Sequence, residues 1–513
     1  MRQFLSPTLT LVLFASTTIA RADLAPGSPS ENFEETELAS GLPSPTSVTF
    51  LPDGTMLATG KGGQLWLQAP DDTLTTAGSF NVDTESEKGL LNVLVHPEFD
   101  TNRLLIVYYS AADSADVDDN NRHRVTTIAL RSDGQLDMAS ETILLDGLRG
   151  PANHDGGALA IGPDGFLYVG AGDTGANNRS RPEDENPPTN YFPTCLTNGN
   201  GKILRIALDG SIPDNNPLVG ETVTACGNSA GEQPSTTAMA REDIFAWGFR
   251  NPWRLWVDPL TGNVWVGDVG NIAYEEINVI TPELVGSNFG WPWREGMFGH
   301  APTQCELATS HGGDCVDPVY QCARSENEIG IDGGCQSIIG GLVIDSCEWP
   351  EEFRHRYYLG DNRLGEIGYL ELNADRSRVV GRRQPFIVNA GPVHITQGPD
   401  KALYYVNYGR GAIYRVAPSS PPPSCTEPGT GGTGAGGTGT ASGGTTGTNN
   451  TGGTASGGTA SGGISGSDAG GGSTGDGASC ACELPGRKSD GQPLLTLVAL
   501  MSVSMRRFRR RNR

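Results

Sequence analysis

The feature that most constrains the fold of this chain is a turn of the Pro-Asp-Gly type that recurs in front of short apolar segments. Two clear copies are residues 51–54 before residues 56–58, and residues 162–165 before residues 166–169. Proline presets the first turn angle, and aspartate and glycine tolerate the conformations that follow. Each copy therefore predicts the start of a β-strand. Looser copies occur at residues 96–98, 258–262 and 398–400.

The spacing of these turns predicts the architecture. The shorter intervals are near 45 residues, as from Pro52 to Pro97, and one such turn in each four-stranded unit is typical of a β-propeller. Counting residues 357–361 as a further strand gives six units, and the long intervals on both sides of Pro259 indicate insertions. Helical periodicity is weak. We therefore predict an all-β fold over residues 23–418, a six-bladed β-propeller with long inter-blade insertions, followed by a disordered stalk.

The N-terminal segment indicates export. Residues 1–22 have a basic residue, Arg2, near their start, an apolar stretch at 9–15 and the sequence Ala20-Arg21-Ala22 at their end. A charged start, a short apolar region and a small-x-small site are typical of a secretory signal peptide. No amphipathic period follows that would favour a buried helix instead. We therefore expect a secreted protein.

The C-terminal segment has two parts. Residues 419–479 are rich in glycine, threonine and serine, which predicts a disordered linker. Residues 480–513 contain Cys480 and Cys482, a run of 12 mostly apolar residues at 494–505 and a final cluster of arginines. That run is shorter than the roughly 20 residues of a spanning helix. The arrangement resembles the C-terminal sorting tags of myxobacterial surface proteins, which implies attachment to the cell envelope at the outer surface; a disordered basic tail is the alternative.

Charge and cysteine content narrow the function classes. The 36 Lys+Arg and 59 Asp+Glu give a net charge of −23, which argues against a nucleic-acid partner. Ten cysteines favour disulfides in an oxidising compartment. Cys195 and Cys226 could pair across one insertion, whereas the pairing of the cysteines between 305 and 425 stays open. A zinc site is less favoured, because close Cys/His pairs with finger-like spacing are missing.

The first candidate chemistry is a histidine with a carboxylate. His154 precedes one predicted strand, and Asp173 follows the next strand along the chain. Since the intervening turn brings the far ends of the two strands together, we expect both side chains on one face of the propeller. A carboxylate orients a histidine and raises its basicity, giving a general base. A structural hydrogen bond is the alternative, and it is the commoner one for an isolated pair.

Two further groups carry candidate roles. Arg250 lies in the motif at 247–254, where it could bind an anionic ligand through its planar fork or simply form an ion pair. The Gly-rich turn at 267–270 is followed by Glu275 and Glu276, and adjacent carboxylates can hold Ca²⁺ through oxygen atoms. Acidic pairs of this kind are more often solvated surface.

Taken together, these motifs resemble the glucose/sorbosone dehydrogenase family, soluble quinoprotein sugar dehydrogenases with a six-bladed propeller. The resemblance covers about residues 42–416. It rests on seven motifs in order, at residues 154–157, 162–165, 170–173, 201–205, 248–252, 268–278 and 288–291. It implies pyrroloquinoline quinone (PQQ) and Ca²⁺ as cofactors, a small-molecule sugar such as an aldose as substrate, and an external electron acceptor.

The resemblance also implies roles for single residues. His154 matches the base that takes the proton of the sugar hydroxyl while hydride passes to the quinone, and Asp173 matches its orienting carboxylate. Arg250, with Asn251 alongside, matches the arginine that polarises the quinone carbonyl. The implied metal site comprises main-chain oxygens near Gly270 and Asn271, together with Glu276. Glu87 stands at a cofactor-binding position where the dehydrogenases have glutamine.

A second branch of the family offers an alternative function. By alignment, the two arginines that hold the quinone carboxylates correspond to Gly391 and Val393, and the cofactor lysine corresponds to Cys335. The motifs at 87–91 and 337–341 resemble the branch that contains Hedgehog-interacting protein, whose animal members act by binding. A catalytically silent extracellular propeller that binds a protein or a glycan is therefore the alternative to a sugar dehydrogenase.

Overall fold

A computed structural model describes residues 23–24, 32–69, 73–112, 122–150, 153–175, 190–225, 236–297, 315–325 and 331–420. The predicted signal peptide, the linker beyond residue 420, the sorting tag and several cysteines, Cys226 among them, lie outside these residues. Within the described ranges, no helix is long and apolar enough to cross a membrane.

Six antiparallel sheets of four main strands form the six blades of a β-propeller, as predicted. The first strands of successive blades contact one another around a ring and are therefore the innermost strands. From the innermost strand outward, the strands are Pro45–Phe50, Met56–Gly60, Gln64–Gln68 and Leu74–Ser79 in blade 1; Leu90–Val95, Leu104–Ser110, His123–Leu130 and Leu136–Leu148 in blade 2; Ala158–Ile161, Leu167–Ala171, Lys202–Ile206 and Ile244–Trp247 in blade 3; Pro252–Val257, Val264–Asp268, Tyr274–Ile280, Tyr320–Ala323 and the short Asp332–Gly333 in blade 4; Ile338–Ile344, Arg356–Asp361, Glu366–Leu372, Val379–Val388 and the short Asp23–Leu24 in blade 5; and Pro392–Gln397, Leu403–Asn407, Ala412–Pro418 and Phe33–Ala39 in blade 6.

The remaining elements are short. Within the described ranges they are one α-helical turn, three 3₁₀ turns and a hairpin inserted into blade 3. Their bounds are Phe99–Asn102 for the α-helix, Phe192–Thr194, Pro282–Leu284 and Glu351–Phe353 for the 3₁₀ turns, and Thr222–Ala225 with Thr236–Met239 for the hairpin.

The recurring turns have one structural role. In five blades the repeat joins the innermost strand to the second strand, and in blade 5 residues 345–355 make this connection, so the predicted strands prove to be the second strands of the six blades. These second strands are buried on both faces; all five residues of Leu167–Ala171 and of Val264–Asp268, for example, are buried. A strand enclosed between neighbouring blades needs apolar side chains on both faces, which explains why the sequence shows continuous apolar runs.

The ring is closed by strands from both ends of the domain. Phe33–Ala39 pairs antiparallel with Ala412–Pro418, with Phe33 opposite Pro418. The outermost strand of the last blade therefore precedes the first blade in sequence. Because these main-chain hydrogen bonds join the two ends of the domain, opening the ring requires breaking a whole strand pairing.

The hydrophobic core is divided among the gaps between blades. Within the described residues there are six apolar clusters, and each is built from two adjacent blades, so one cluster fills each gap. In the gap between blades 4 and 5, for example, the rings of Trp265 and Tyr357 stack with centroids 4.5 Å apart. Burial of apolar surface stabilises by about 25 cal/mol per Å², so the blades are held mainly by their neighbours.

Disulfides support the prediction made from the cysteine content. Cys322 and Cys335 are bonded, which joins the fourth strand of blade 4 to the segment before blade 5. Cys195, Cys315 and Cys347 are also disulfide-bonded. The predicted partner of Cys195, Cys226, lies outside the described residues.

The centre of the propeller is polar and contains a buried arginine. Arg254, on the innermost strand of blade 4, donates to the main-chain oxygens of Thr46 in blade 1 at 2.7 Å and Leu91 in blade 2 at 3.2 Å. Its other terminal nitrogen donates to Trp253 at 3.0 Å and reaches the oxygen of Gly157 at 3.5 Å. Burial lowers the pKa of Arg254 to about 9, so the side chain stays charged at neutral pH.

We expect Arg254→Met to lower the free energy of unfolding by about 3 kcal/mol or more, because several buried carbonyls lose a charged donor. Chemical denaturation followed by tryptophan fluorescence measures this change. Arg356→Met is the control: Arg356 forms a surface pair with Glu371 at 3.2 Å, and its loss should cost less than about 1 kcal/mol. Equal losses in the two variants would contradict a central role for Arg254.

Candidate functional site

The candidate site lies where the loops before the innermost strands meet the ends of the second strands. Residues 153–157 lead into the innermost strand of blade 3, and His154 adopts a left-handed backbone with φ of +55°. Its main-chain N–H donates to Glu87 at 3.0 Å. A Cβ at Gly172 would come within 1.8 Å of the His154 carbonyl oxygen. Glycine is therefore required where the second strand passes the histidine loop.

His154 and Asp173 are brought together as the sequence predicted. The Nδ1 atom of His154 lies 2.6 Å from Oδ1 of Asp173, and the aspartate side chain is fully buried. When Nδ1 carries the proton that is shared with the carboxylate, the basic lone pair of the neutral ring is on Nε2. The pair therefore has the geometry of a general base and its orienting carboxylate.

The Asp173 carboxylate is held in place by further donors. Gly175 N–H donates to Oδ1 at 2.8 Å, while the Asn190 amide at 3.1 Å and the Trp291 indole at 2.7 Å both donate to Oδ2. Burial alone would raise the pKa of Asp173, but His154, Arg250 and the Gly175 N–H outweigh it and hold the pKa below its ordinary value. Asp173 is therefore ionised at neutral pH and can stabilise a protonated His154.

Arg250 lies beside this pair. It is 9% exposed, one terminal nitrogen donates to the Val269 oxygen at 2.8 Å, and the guanidinium lies 5.7 Å from the centroid of the Trp291 ring. Its buried Nε has no hydrogen-bond partner among the described residues. A buried donor without a partner is costly, so the contacts with Val269 and Trp291 hold Arg250 here with one donor unsatisfied.

Asn251 and Asp268 connect the loops of blades 3 and 4. Asn251 accepts from the Gly156 N–H at 3.0 Å, and the Asp268 carboxylate accepts the main-chain N–H groups of Arg250 at 3.0 Å and Asn251 at 2.6 Å. Burial raises the pKa of Asp268 to about 7, although these donors oppose the rise. The positions of Arg250 and His154 are therefore linked through main-chain contacts.

A cavity of about 220 Å³ opens beside these residues, and Glu87 and Asn251 form part of its wall. The Glu87 carboxylate accepts from the His154 main chain at 3.0 Å and from the Asn251 amide at 3.3 Å. Burial is the main influence on Glu87 and raises its pKa. The other lining residues are Thr46, Lys61, Ser86, Leu91, Trp253, Val269, Ser337, Ile339, Asn362, Val393 and Tyr408.

The residues present fit a planar quinone at one end of this cavity. The amide of Asn251 suits a carbonyl oxygen, the apolar side chains of the wall suit a ring system, and Lys61 supplies a cation for a carboxylate. The positions implied for the cofactor's cations differ from the family pattern: Val393 lines the cavity, Gly391 has no side chain, and Cys335 is buried in a disulfide. Asn251 and Lys61 are therefore the lining residues that would hold the group, whereas Arg250 lies beside the cavity and outside its lining.

The residues implied for Ca²⁺ do not fit that ion. The main-chain oxygen of Gly270 accepts from the guanidinium of Arg324 at 2.9 Å. Glu276 accepts from the Gly296 N–H and from the Asn278 amide at 3.3 Å; since successive strand residues face opposite sides, it points away from Glu275. Throughout the described residues no group of three or more His, Cys, Asp or Glu side chains could hold a metal ion.

Several contacts of the site were not predicted from the sequence. Trp291 and Asn190 fix Asp173, and Glu275, Glu295 and Arg324 hold the loop at 269–274. Asn190 and Trp291 lie in insertions, where no repeating sequence pattern relates them to Asp173. Asp268 carried a detectable signal, because a Gly-Asp pair ends the second strand in blades 4 and 5 and follows it in blade 3.

Comparison with known proteins places these observations in a family. The sequence profile of the family described as Glucose / Sorbosone dehydrogenase matches residues 42–415. Aldose sugar dehydrogenase YliI of Escherichia coli K12 is 24% identical over 391 residues, covering 74% of this chain and 91% of the relative. Quinoprotein glucose dehydrogenase B of Acinetobacter calcoaceticus is 26% identical over 431 residues, covering 80% and 82%.

Two further comparisons concern the fold and the second branch. The crystal structure of an oxidoreductase from Thermus thermophilus, assigned as a glucose dehydrogenase, superposes with a TM-score of 0.56 at 26% identity, covering 75% of this chain and 99% of that one. Mouse Hedgehog-interacting protein is 26% identical over 243 residues, covering 43% of this chain and 31% of the relative. Similarity to the binding branch is therefore confined to part of each chain.

Glu87→Gln tests the buried carboxylate. Since the raised pKa means that folding favours the protonated form, the wild-type protein should lose stability relative to the variant as pH rises from the ordinary glutamate pKa through the raised one. Melting temperatures of both proteins across this range measure the effect. Glu371→Gln, at a surface residue, should leave a difference that does not depend on pH. If the wild-type protein instead became more stable relative to Glu87→Gln as the pH rises, the burial argument would be wrong.

Proposed function

Because this chain belongs to the glucose/sorbosone dehydrogenase family, we propose that it is an extracytoplasmic, quinone-dependent dehydrogenase that oxidises a hydroxyl of an aldose or a related sugar. The observation that supports this proposal most directly is the 2.6 Å contact between His154 and the fully buried Asp173. It stands next to the buried Arg250 and a cavity of about 220 Å³.

The proposed roles follow from the contacts. His154 accepts the hydroxyl proton of the sugar on Nε2, and Asp173 stabilises the resulting charge while keeping the ring in one orientation. Asn251 would bind and orient a carbonyl of the cofactor, and Arg250, beside the cavity, would supply positive charge that stabilises negative charge on it. PQQ, when bound, supplies the two-electron acceptor that takes the hydride from the sugar carbon. An external electron acceptor completes the cycle.

The signal-like N-terminus and the cysteine-arginine tail support a location outside the cytoplasm, with attachment to the cell envelope. Both segments lie outside the described residues, so this part of the proposal rests on the sequence. The disulfide between Cys322 and Cys335 agrees with an oxidising compartment.

Binding without catalysis is the second candidate function, and one observation favours it. The positions implied for the cofactor's cations hold Gly391, Val393 and Cys335, none of which carries a charge, although PQQ is a tricarboxylate that is held by charge-assisted hydrogen bonds. On this alternative His154 and Asp173 maintain the fold, and a protein or glycan is bound at the same face.

Dye reduction by the purified protein loaded with PQQ, with a panel of aldoses, distinguishes the two functions. We expect turnover with at least one sugar, and a loss of about 10²–10⁴-fold in kcat for His154→Gln and Asp173→Asn, because each removes the oriented base. Quenching of tryptophan fluorescence by PQQ should persist in both variants, since the cofactor contacts remain.

The surface variant His355→Gln is the matched control, because His355 is exposed, its ring lies 2.7 Å from Asp345, and neither residue lines the cavity. It should retain full turnover. Stoichiometric PQQ binding without turnover of any sugar would contradict the dehydrogenase proposal and favour a binding protein. Turnover that survives in His154→Gln would contradict the role of the histidine.

A further inference from the structure

The loop between the second and third strands of blade 4 borders the candidate site. Val269 lines the cavity, and the loop turns sharply at Gly270, where a Cβ would lie 1.6 Å from the Tyr274 oxygen. Two consecutive carbonyls of this loop each accept from a different arginine. Arg250 donates to Val269 at 2.8 Å, and Arg324 donates to Gly270 at 2.9 Å.

The N–H groups of the same loop are held by acidic side chains. The N–H of Gly270 donates to Glu275 at 3.2 Å. Four successive N–H groups donate to one oxygen of Glu295, at 2.7, 2.9, 2.9 and 3.2 Å; they belong to Asn271, Ile272, Ala273 and Tyr274. Fixed cations therefore bind carbonyls of this loop, and fixed anions bind its N–H groups.

Arg324 is firmly placed for this contact. It follows the fourth strand of blade 4, and its main-chain N–H donates to the Ala273 oxygen at 2.9 Å. Its guanidinium forms an ion pair with Glu275, whose side chain is fully buried, while its own side chain is 22% exposed. The carboxylate neutralises the cation, and both groups are anchored by main-chain pairing on adjacent strands.

We propose that Arg324 is the resident cation of this loop and takes the place of Ca²⁺ at the Gly270 carbonyl. A calcium ion needs six to eight oxygen ligands at about 2.3–2.6 Å. At Gly270 it would meet an oxygen that already binds a guanidinium, with a second guanidinium on the neighbouring carbonyl. Like charges at such separations repel strongly where water is partly excluded.

This assignment makes the geometry of the loop independent of metal. Because Arg324 is covalently part of the chain, a chelator cannot remove it, and the loop beside the cavity keeps its shape without an ion. Glu275 then has the role of a counter-ion for Arg324 and not of a metal ligand. The inference concerns cation binding alone and does not depend on whether the protein oxidises sugars.

Calcium binding to the purified full-length protein tests the proposal without any measurement of turnover. Equilibrium dialysis with radioactive calcium, with and without added PQQ, should show no stoichiometric binding at micromolar concentrations. The melting temperature should be the same in calcium and in a chelator. One tightly bound calcium ion, or a lower melting temperature in chelator, would overturn the proposal.

Arg324→Ala provides the complementary measurement. It releases the Gly270 carbonyl and leaves the buried Glu275 carboxylate without its cation, so calcium affinity should rise at least about tenfold and calcium should raise the melting temperature. Arg324→Lys should resemble the wild-type protein, since the charge is kept.

Arg356→Ala is the matched control, because Arg356 has a similar exposed fraction of 26% and also pairs with a glutamate, Glu371. It should gain no response to calcium. If Arg324→Ala folds only when calcium is present, the proposal is supported, because the ion then replaces the missing cation. If Arg324→Ala gains no affinity for calcium and no thermal response to it, the assignment of Arg324 is wrong.

Discussion

The guanidinium of Arg254 lies at the centre of the ring, where it donates to main-chain carbonyls of blades 1 and 2 as well as of its own strand. The six apolar clusters hold neighbouring blades together in pairs. A charged donor with several partners in a region of low dielectric is strong and directional. It therefore fixes the distances between innermost strands, on which the positions of all the functional loops depend.

The functional residues stand at positions whose equivalents in other blades have a structural role. In blades 4 and 5 the aspartate at the end of the second strand, Asp268 or Asp361, accepts main-chain N–H groups of the loop before the innermost strand. In blade 3 the corresponding Asp173 instead contacts the side chain of His154. In blades 4 and 5 the aspartate thus binds main-chain N–H groups, whereas in blade 3 it orients a histidine. Trp291 and Asn190 donate further hydrogen bonds to Asp173.

Much of this could be predicted from the sequence. The five turns and the strand at 357–361 predicted six blades, because each turn must be followed by a strand that is buried on both faces, as Leu167–Ala171 is. The turns also predicted the proximity of His154 and Asp173, since a hairpin brings the far ends of its two strands together. The loop at Gly270 could not be predicted, because its partners Glu295 and Arg324 lie 25 and 54 positions along the chain in segments with no repeat.

The sequence by itself determined the local and periodic features: the strand starts, the number of blades, the hairpin that brings His154 to Asp173, and the family. Periodic patterns report short-range geometry, and that geometry is fixed by turn type and strand length. Only the tertiary structure decided which groups bind one another across the ring, as the Arg254 guanidinium binds the carbonyls of Thr46 and Leu91. It also decided which guanidinium binds the carbonyl of Gly270. Such contacts depend on the folded path of distant segments, and no local pattern in the chain encodes them.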